Sequence, residues 1–182
     1  MVETVGRVFA AVPLPSEIRL ALADQIASLN IPGKLVPAES WHLTLRFLGS
    51  IDQVTYERFL HALSDVEDRG RFPMRLSGFG GFPNTNRATV VWVGFSDGVE
   101  GLLGLNEIAE SAAQTAGLEP EDRPYQPHLT LSRVRPPTSV ADLLDTSLDL
   151  RWTATEVVVF QSHLGRGGAR YEPLERFALA AI

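Results

Sequence analysis

The chain has 182 residues, of which 45% are hydrophobic and 21% charged. That is enough apolar content for a packed core, and it excludes disorder as the overall state. The net charge is -6 with a pI near 5.2, which excludes the broad basic surface needed to wrap long nucleic acid but leaves room for a small anion site. There are no cysteines, so disulfides, thiolate metal sites and cysteine nucleophiles are excluded.

No stretch approaches the roughly 20 uninterrupted apolar residues of a membrane helix. The segment Met1 to Val8 carries Glu3 and Arg7 and lacks a basic start followed by a long apolar run, so no secretory signal is expected. A cytoplasmic, monomeric protein is the expectation. Fifteen arginines stand against one lysine, Lys34. Arginine suits phosphate through its planar fork, but a GC-rich genome is the stronger reading of such a bias.

Strand-like and helix-like segments alternate along the chain. Arg7 to Leu14 is β-rich and ends at prolines, which predicts a strand. Ser16 is a plausible N-cap with Glu17 in the first turn. Ile18, Leu22, Ile26 and Leu29 then fall on one helical face, and Pro32-Gly33 stops that helix. Trp41 to Leu48 is the next predicted strand. Asp52 can cap a second helix, with Tyr56, Phe59, Leu60 and Leu63 on its inner stripe. Phe72 to Phe79 and Ala88 to Phe95 predict two strands joined by the loop GGFPNTN. Gly101 to Gly117 predicts a third helix with Leu105, Ile108, Ala109 and Ala112 inside, and Gly117 as its stop. Pro127 to Val134 predicts a strand and Ser139 to Asp145 a short helix. Glu156 to Leu164 and Tyr171 to Ala178 predict a closing pair of strands.

Trp41-His42-Leu43-Thr44-Leu45 recurs as Pro127-His128-Leu129-Thr130-Leu131, the two histidines lying 86 positions apart. Each copy begins a predicted strand after a helix. Two similar lobes follow, and no linker-like run separates them. The expected fold is α+β and bilobal: two pseudo-symmetric antiparallel sheets flanked by helices around a central cleft. It forms one domain over residues 1–182, with one motif in each of two interleaved lobes.

Side chains at i and i+2 of a strand share a face. His42 therefore sides with Thr44, and His128 with Thr130, while the leucines face the core. A pseudo-two-fold axis would bring both pairs to one cleft. Two imidazoles can serve as general acid and general base near neutral pH. Two hydroxyls and an imidazolium can hold phosphate oxygens and stabilise charge growing in the transition state. This equipment suits in-line attack on a phosphodiester. Four histidines and eleven threonines give about a quarter of one His-x-Thr by chance, so the matched pair carries the signal. Two partly buried strand histidines bonded to backbone are the bland alternative.

The sequence resembles the two-histidine phosphoesterases with paired His-x-Thr-x motifs. Within them the likeness is to the bacterial and archaeal RNA 2′,3′-cyclic phosphodiesterases, also called 2′-5′ RNA ligases. It runs through RVFAAVPLP, WHLTLRFLG, GFGGFPNTNRATVVWVGF, RPYQPHLTLSRV and SHLGRGGARYEPLERFAL, nearly the whole chain. The resemblance implies that His42 protonates the leaving ribose oxygen, that His128 activates water, and that Thr44 and Thr130 bind the phosphate. It also implies a leaving O3′, a 2′-phosphate product, a V-shaped cleft and no cofactor or metal. The implied partners are RNA ends or nucleotides carrying a 2′,3′-cyclic phosphate; from hydropathy and the lack of a leftover apolar stripe, no membrane and no obligate protein partner are expected. Alternatives are a phosphodiesterase on small cyclic or 2′-5′-linked nucleotides, an RNA-end-binding or 2′-5′ ligating protein, and a non-catalytic fold relative.

Other residues are weaker candidates. Arg46 stands at i+4 from His42, so simple alternation puts it on the cleft face, toward phosphate or covering the strand end. Arg133 has the wrong parity relative to His128 unless a bulge intervenes, yet it matches an arginine common after the second motif in the family. Arg123 and Tyr125 lie just upstream and could meet phosphate or stack a base. Phe9 and Phe82 could stack a nucleobase or pack at the core or rim. His61 is expected on a solvated helix face. His163 has no partner visible in sequence and approaches the cleft only if the last hairpin folds back. Four histidines at these spacings make a poor zinc set. The pieces GFGG and GRGG lack the context of phosphate-cradling loops.

Overall fold

The computed structural model describes residues 3–181. The leader reading rests partly on Met1 and Val2, which lie outside the described residues. Among the described residues, nine strands and three α-helices follow in chain order. They are β1 (Thr4–Pro13), α1 (Ser16–Ile26), β2 (Lys34–Leu35), β3 (His42–Asp52), α2 (Gln53–Leu63), β4 (Phe72–Phe82), β5 (Ala88–Asp97), α3 (Val99–Thr115), β6 (Leu129–Thr138), β7 (Arg151–Ala154), β8 (Glu156–Gly165) and β9 (Gly168–Ala178).

The strands form two antiparallel sheets, ordered β3-β1-β8-β9 and β2-β6-β5-β4-β7. Without the two-residue β2, the second order is β6-β5-β4-β7, and it superposes on the first in topology. The unit β1-α1-β3 corresponds to β5-α3-β6, and β8 and β9 correspond to β4 and β7. The expected α+β pair of antiparallel sheets is therefore present. Chain halves cross between them: β2 joins the second sheet, and β8 with β9 returns to the first.

Local chemistry explains most elements. β1 lies between β3 and β8, and its run Val8 to Val12 is buried throughout, as in strands covered on both faces. In α2 the Asp52 carboxylate accepts from the Thr55 amide at 2.8 Å, making the expected cap. Phe59 and Leu63 are buried there, with Tyr56 and Leu60 packed beside them. α3 ends at Thr115, just before Gly117. It packs on α2 and on β3, so a helix from the second unit backs the motif strand of the first.

Some expectations need correction. Ser16 is the first helical residue of α1; the cap position belongs to Pro15, and no side chain caps it. That helix ends at Ile26, leaving Leu29 beyond it, partly buried against the core. Ser139 to Asp145 holds only a single 3-10 turn, at Ala141–Leu143. The short strands β2 and β7 carry too few residues to show a period of two.

Candidate active site

His42 and His128 stand at matching positions, the first residue of β3 and the residue just before β6. The Nδ1 of His128 lies 2.6 Å from the Gln126 carbonyl oxygen, and the Ser40 backbone accepts a hydrogen bond from the His42 ring. Each acceptor is two residues upstream. A ring that donates Nδ1–H to a carbonyl keeps Nε2 free. Both histidines line one cleft of about 940 Å³, together with Thr44 and Thr130.

Aromatic rings wall each imidazole. Phe9 lies 4.7 Å from the His42 ring centre, and Tyr171 stands edge-on at 4.9 Å. Phe82 stands edge-on to His128 at 4.9 Å, with Trp92 behind at 6.4 Å. The Trp92 ring crosses Gly80 on β4, where any Cβ would collide with it. Burial in this apolar setting pushes His42 down to about 4, and the Ser40 carbonyl recovers only part of the loss. Burial also lowers His128, against the bond to Gln126. Phe9 is 1% exposed and serves as packing behind His42. Phe82 is half-buried and lines the cleft.

Both motif strands carry a bulge at the same place. One step on β1, from Ala10 to Ala11, is matched by two on β3, from Arg46 to Thr44. One step on β5, from Val91 to Trp92, is matched by two on β6, from Ser132 to Thr130. The extra residues, Leu45 and Leu131, reverse the alternation that follows. Arg46 and Ser132 thus turn inward at equivalent positions and are 9% and 0% exposed. Phe47 and Arg133, one residue later, turn out to the cleft.

The bulges revise two expectations. Simple alternation puts Arg46 on the cleft face. It reaches the cleft wall from the buried side, with its guanidinium consumed by an ion pair to Glu110 and by donation to the Phe47 and Glu119 carbonyls at 2.6 and 2.5 Å. Arg133 reaches the cleft because the bulge conditioned on its parity exists. Arg123 and Tyr125 line the cleft too; the tyrosine is half-buried, and burial pushes its phenol up. No carboxylate among the described residues pairs with Arg123 or Arg133.

Arg46 and Glu110 tie the two units together. Glu110 on α3 also accepts the Glu121 amide at 3.0 Å, and Asn106 donates to the Leu45 carbonyl at the bulge, at 2.8 Å. Burial raises the Glu110 carboxyl, but hydrogen bonds from Gln114 and Glu121 and the Arg46 charge together bring it below its ordinary value. The segment carrying Arg123, Tyr125 and Gln126 is thereby pinned to β3. Arg46→Met is expected to cost about 3 kcal/mol, because it strands the partly buried carboxylate and two carbonyls. Thermal unfolding checks this. An unchanged midpoint with a raised KM would instead place Arg46 on the substrate.

His61 is exposed near the end of α2, as expected. His163 does not line the cleft; it pairs with Glu172 across the β8-β9 hairpin at 2.8 Å. Among the described residues no group of three or more His, Asp or Glu is placed to hold a metal, and no helix is long and apolar enough to cross a membrane. Sequence reasoning missed Phe47, which is 59% exposed, and Gln126. Offsets from the repeated histidines find both: Phe47 stands at the offset of Arg133, and Gln126 at that of Ser40.

Two antiparallel sheets presenting paired His-x-Thr units to one cleft define a phosphoesterase of the two-histidine type. The family model described as LigT like Phosphoesterase matches residues 12–92 and 96–171, and the chain belongs to that family. An Escherichia coli protein named RNA 2′,3′-cyclic phosphodiesterase is 32% identical over 175 residues, 95% of this chain and 96% of its own. A Thermus thermophilus protein of the same name is 34% identical, covering 95% and 90%. One from Aeropyrum pernix matches a shorter stretch, 36% over 118 residues, 64% of this chain and 66% of that one. Among solved structures, E. coli LigT complexed with 3′-AMP aligns with a TM-score of 0.83 at 30% identity, over 96% of this chain and 98% of that one.

Proposed function

We propose that the chain hydrolyses RNA 2′,3′-cyclic phosphodiester ends to 2′-phosphomonoesters by acid-base catalysis between His42 and His128. The observation that carries this is the matched pair of carbonyl-tethered imidazoles lining one cleft with two threonines. The relatives named RNA 2′,3′-cyclic phosphodiesterase support the substrate. His128 Nε2 takes a proton from water, whose oxygen bonds to phosphorus. The bond from phosphorus to O3′ breaks in line, and His42 gives its proton to that oxygen. The phosphate stays on O2′. Thr44 and Thr130 donate to the non-bridging oxygens, where charge accumulates. Arg123 and Arg133 supply positive charge free of protein carboxylates, and Tyr125 flanks the bound nucleotide.

Phosphorus NMR of a cyclic-ended RNA, incubated with protein and a chelator, tests the reading. The expected result is loss of the cyclic resonance, appearance of a 2′-phosphomonoester, and a rate unchanged by chelator. A 3′-phosphate product would reverse the leaving atom. A rate abolished by chelator and restored by zinc or manganese would replace the mechanism with metal-assisted hydrolysis.

A further inference from the structure

A second cavity opens on the other flank of His42. It encloses about 470 Å³ and shares His42 and Tyr171 with the catalytic cleft. Its volume falls within the range of small-molecule pockets. Phe160, Tyr171 and buried Trp41 contribute aromatic walls, and Pro13, Pro15 and Pro173 flat apolar ones.

Its charge differs from that of the cleft. Two arginines and two glutamates line it. Arg176 is paired with Glu156 at 2.8 Å, and Arg19 donates to the Leu14 carbonyl at 2.9 Å. The charges lining the cavity sum to zero, although Arg19 has no carboxylate partner among the described residues, whereas the cleft keeps both Arg123 and Arg133 unpaired. Flat apolar walls with carboxylate and threonine acceptors at the rim suit an uncharged heteroaromatic ring bearing amino groups, which is a nucleobase.

We propose that this cavity is a second nucleoside subsite, holding the base of the nucleotide that precedes the cyclic end. The inference rests on the phosphodiesterase reading of the cleft. With the cyclic phosphate between the histidines, the terminal nucleoside fills the cleft and the chain continues past His42 and Tyr171 into the cavity. The substrate class is then an oligonucleotide end, and a cyclic mononucleotide uses only half the site.

The experiment compares adenosine 2′,3′-cyclic phosphate with the adenylyl-adenosine dinucleotide bearing the same cyclic end. The wild type should show a kcat/KM at least about tenfold higher for the dinucleotide, the effect of one stacked base. Thr155→Trp, which fills the cavity from an exposed position, should erase that preference and leave mononucleotide turnover within about twofold. Thr153→Trp fills it from a neighbouring position and serves if the first variant does not fold; mononucleotide turnover reports folding in both. Equal use of the two substrates by the wild type overturns the subsite. So does a preference that survives filling, or a parallel loss of both activities. Failure of the wild type on both substrates overturns the phosphodiesterase reading itself.

Discussion

His42→Ala and His128→Ala are each expected to lower kcat on a cyclic-ended RNA by about 10²–10⁴, the range for loss of a positioned acid or base. The double variant should fall far short of the product of the two losses, because the pair acts as a unit around one phosphate. On the proposed roles, what remains is the work of the threonine hydroxyls and unpaired arginines, which is common to all three variants. Both side chains are half-buried against aromatic rings, so truncation also opens a small void, and circular dichroism must confirm the fold. Near wild-type turnover in either folded single variant would sink the assignment of that histidine.

The repeated His-Leu-Thr-Leu was the legible part of the site. Its identity in two copies, each at the start of a β-rich run, is enough to deduce two related sheets. The alternation rule also places His42 with Thr44 and His128 with Thr130, because those pairs precede the bulges. It fails at both Arg46 and Arg133, for one reason. A bulge is decided by how a strand registers against its neighbour, here β1 against β3 and β5 against β6, and no local pattern in HLTLRF or HLTLSR announces it. The two copies nonetheless bulge alike, and the residues turned inward by them, Arg46 and Ser132, find quite different partners. Arg46 binds Glu110 across the molecule, whereas the Ser132 hydroxyl donates to the Pro32 carbonyl at 2.5 Å. The second cavity was illegible for a different reason. Its walls come from β1, the start of α1, the approach to β3, the end of β7, β8 and β9, segments brought together only when the C-terminal hairpin returns to the first sheet.

The rate should depend on pH as a bell, and the bell should move between kcat/KM and kcat. The productive state has one proton on the histidine pair, so the two limbs belong to the coupled pair rather than to His42 or His128 singly. In the empty cleft burial disfavours both imidazolium forms and holds His42 at about 4. A lowered value means that the protonated fraction shrinks above it, tenfold for each pH unit. At pH 7 about one free molecule in a thousand carries that proton, from the Henderson relation at a value near 4. kcat/KM, which reports the free enzyme, should therefore peak on the acid side and fall steeply through neutrality. A bound cyclic phosphate places a negative charge beside both rings, which favours the protonated forms and raises both limbs. kcat, which reports the complex, should accordingly peak at higher pH. Measurement of both profiles over about five pH units around neutrality decides the matter. Coincident profiles would mean that the phosphate does not sit between the histidines. A rate rising monotonically with pH would identify hydroxide or a metal-bound water as the nucleophile and remove His128 as the base.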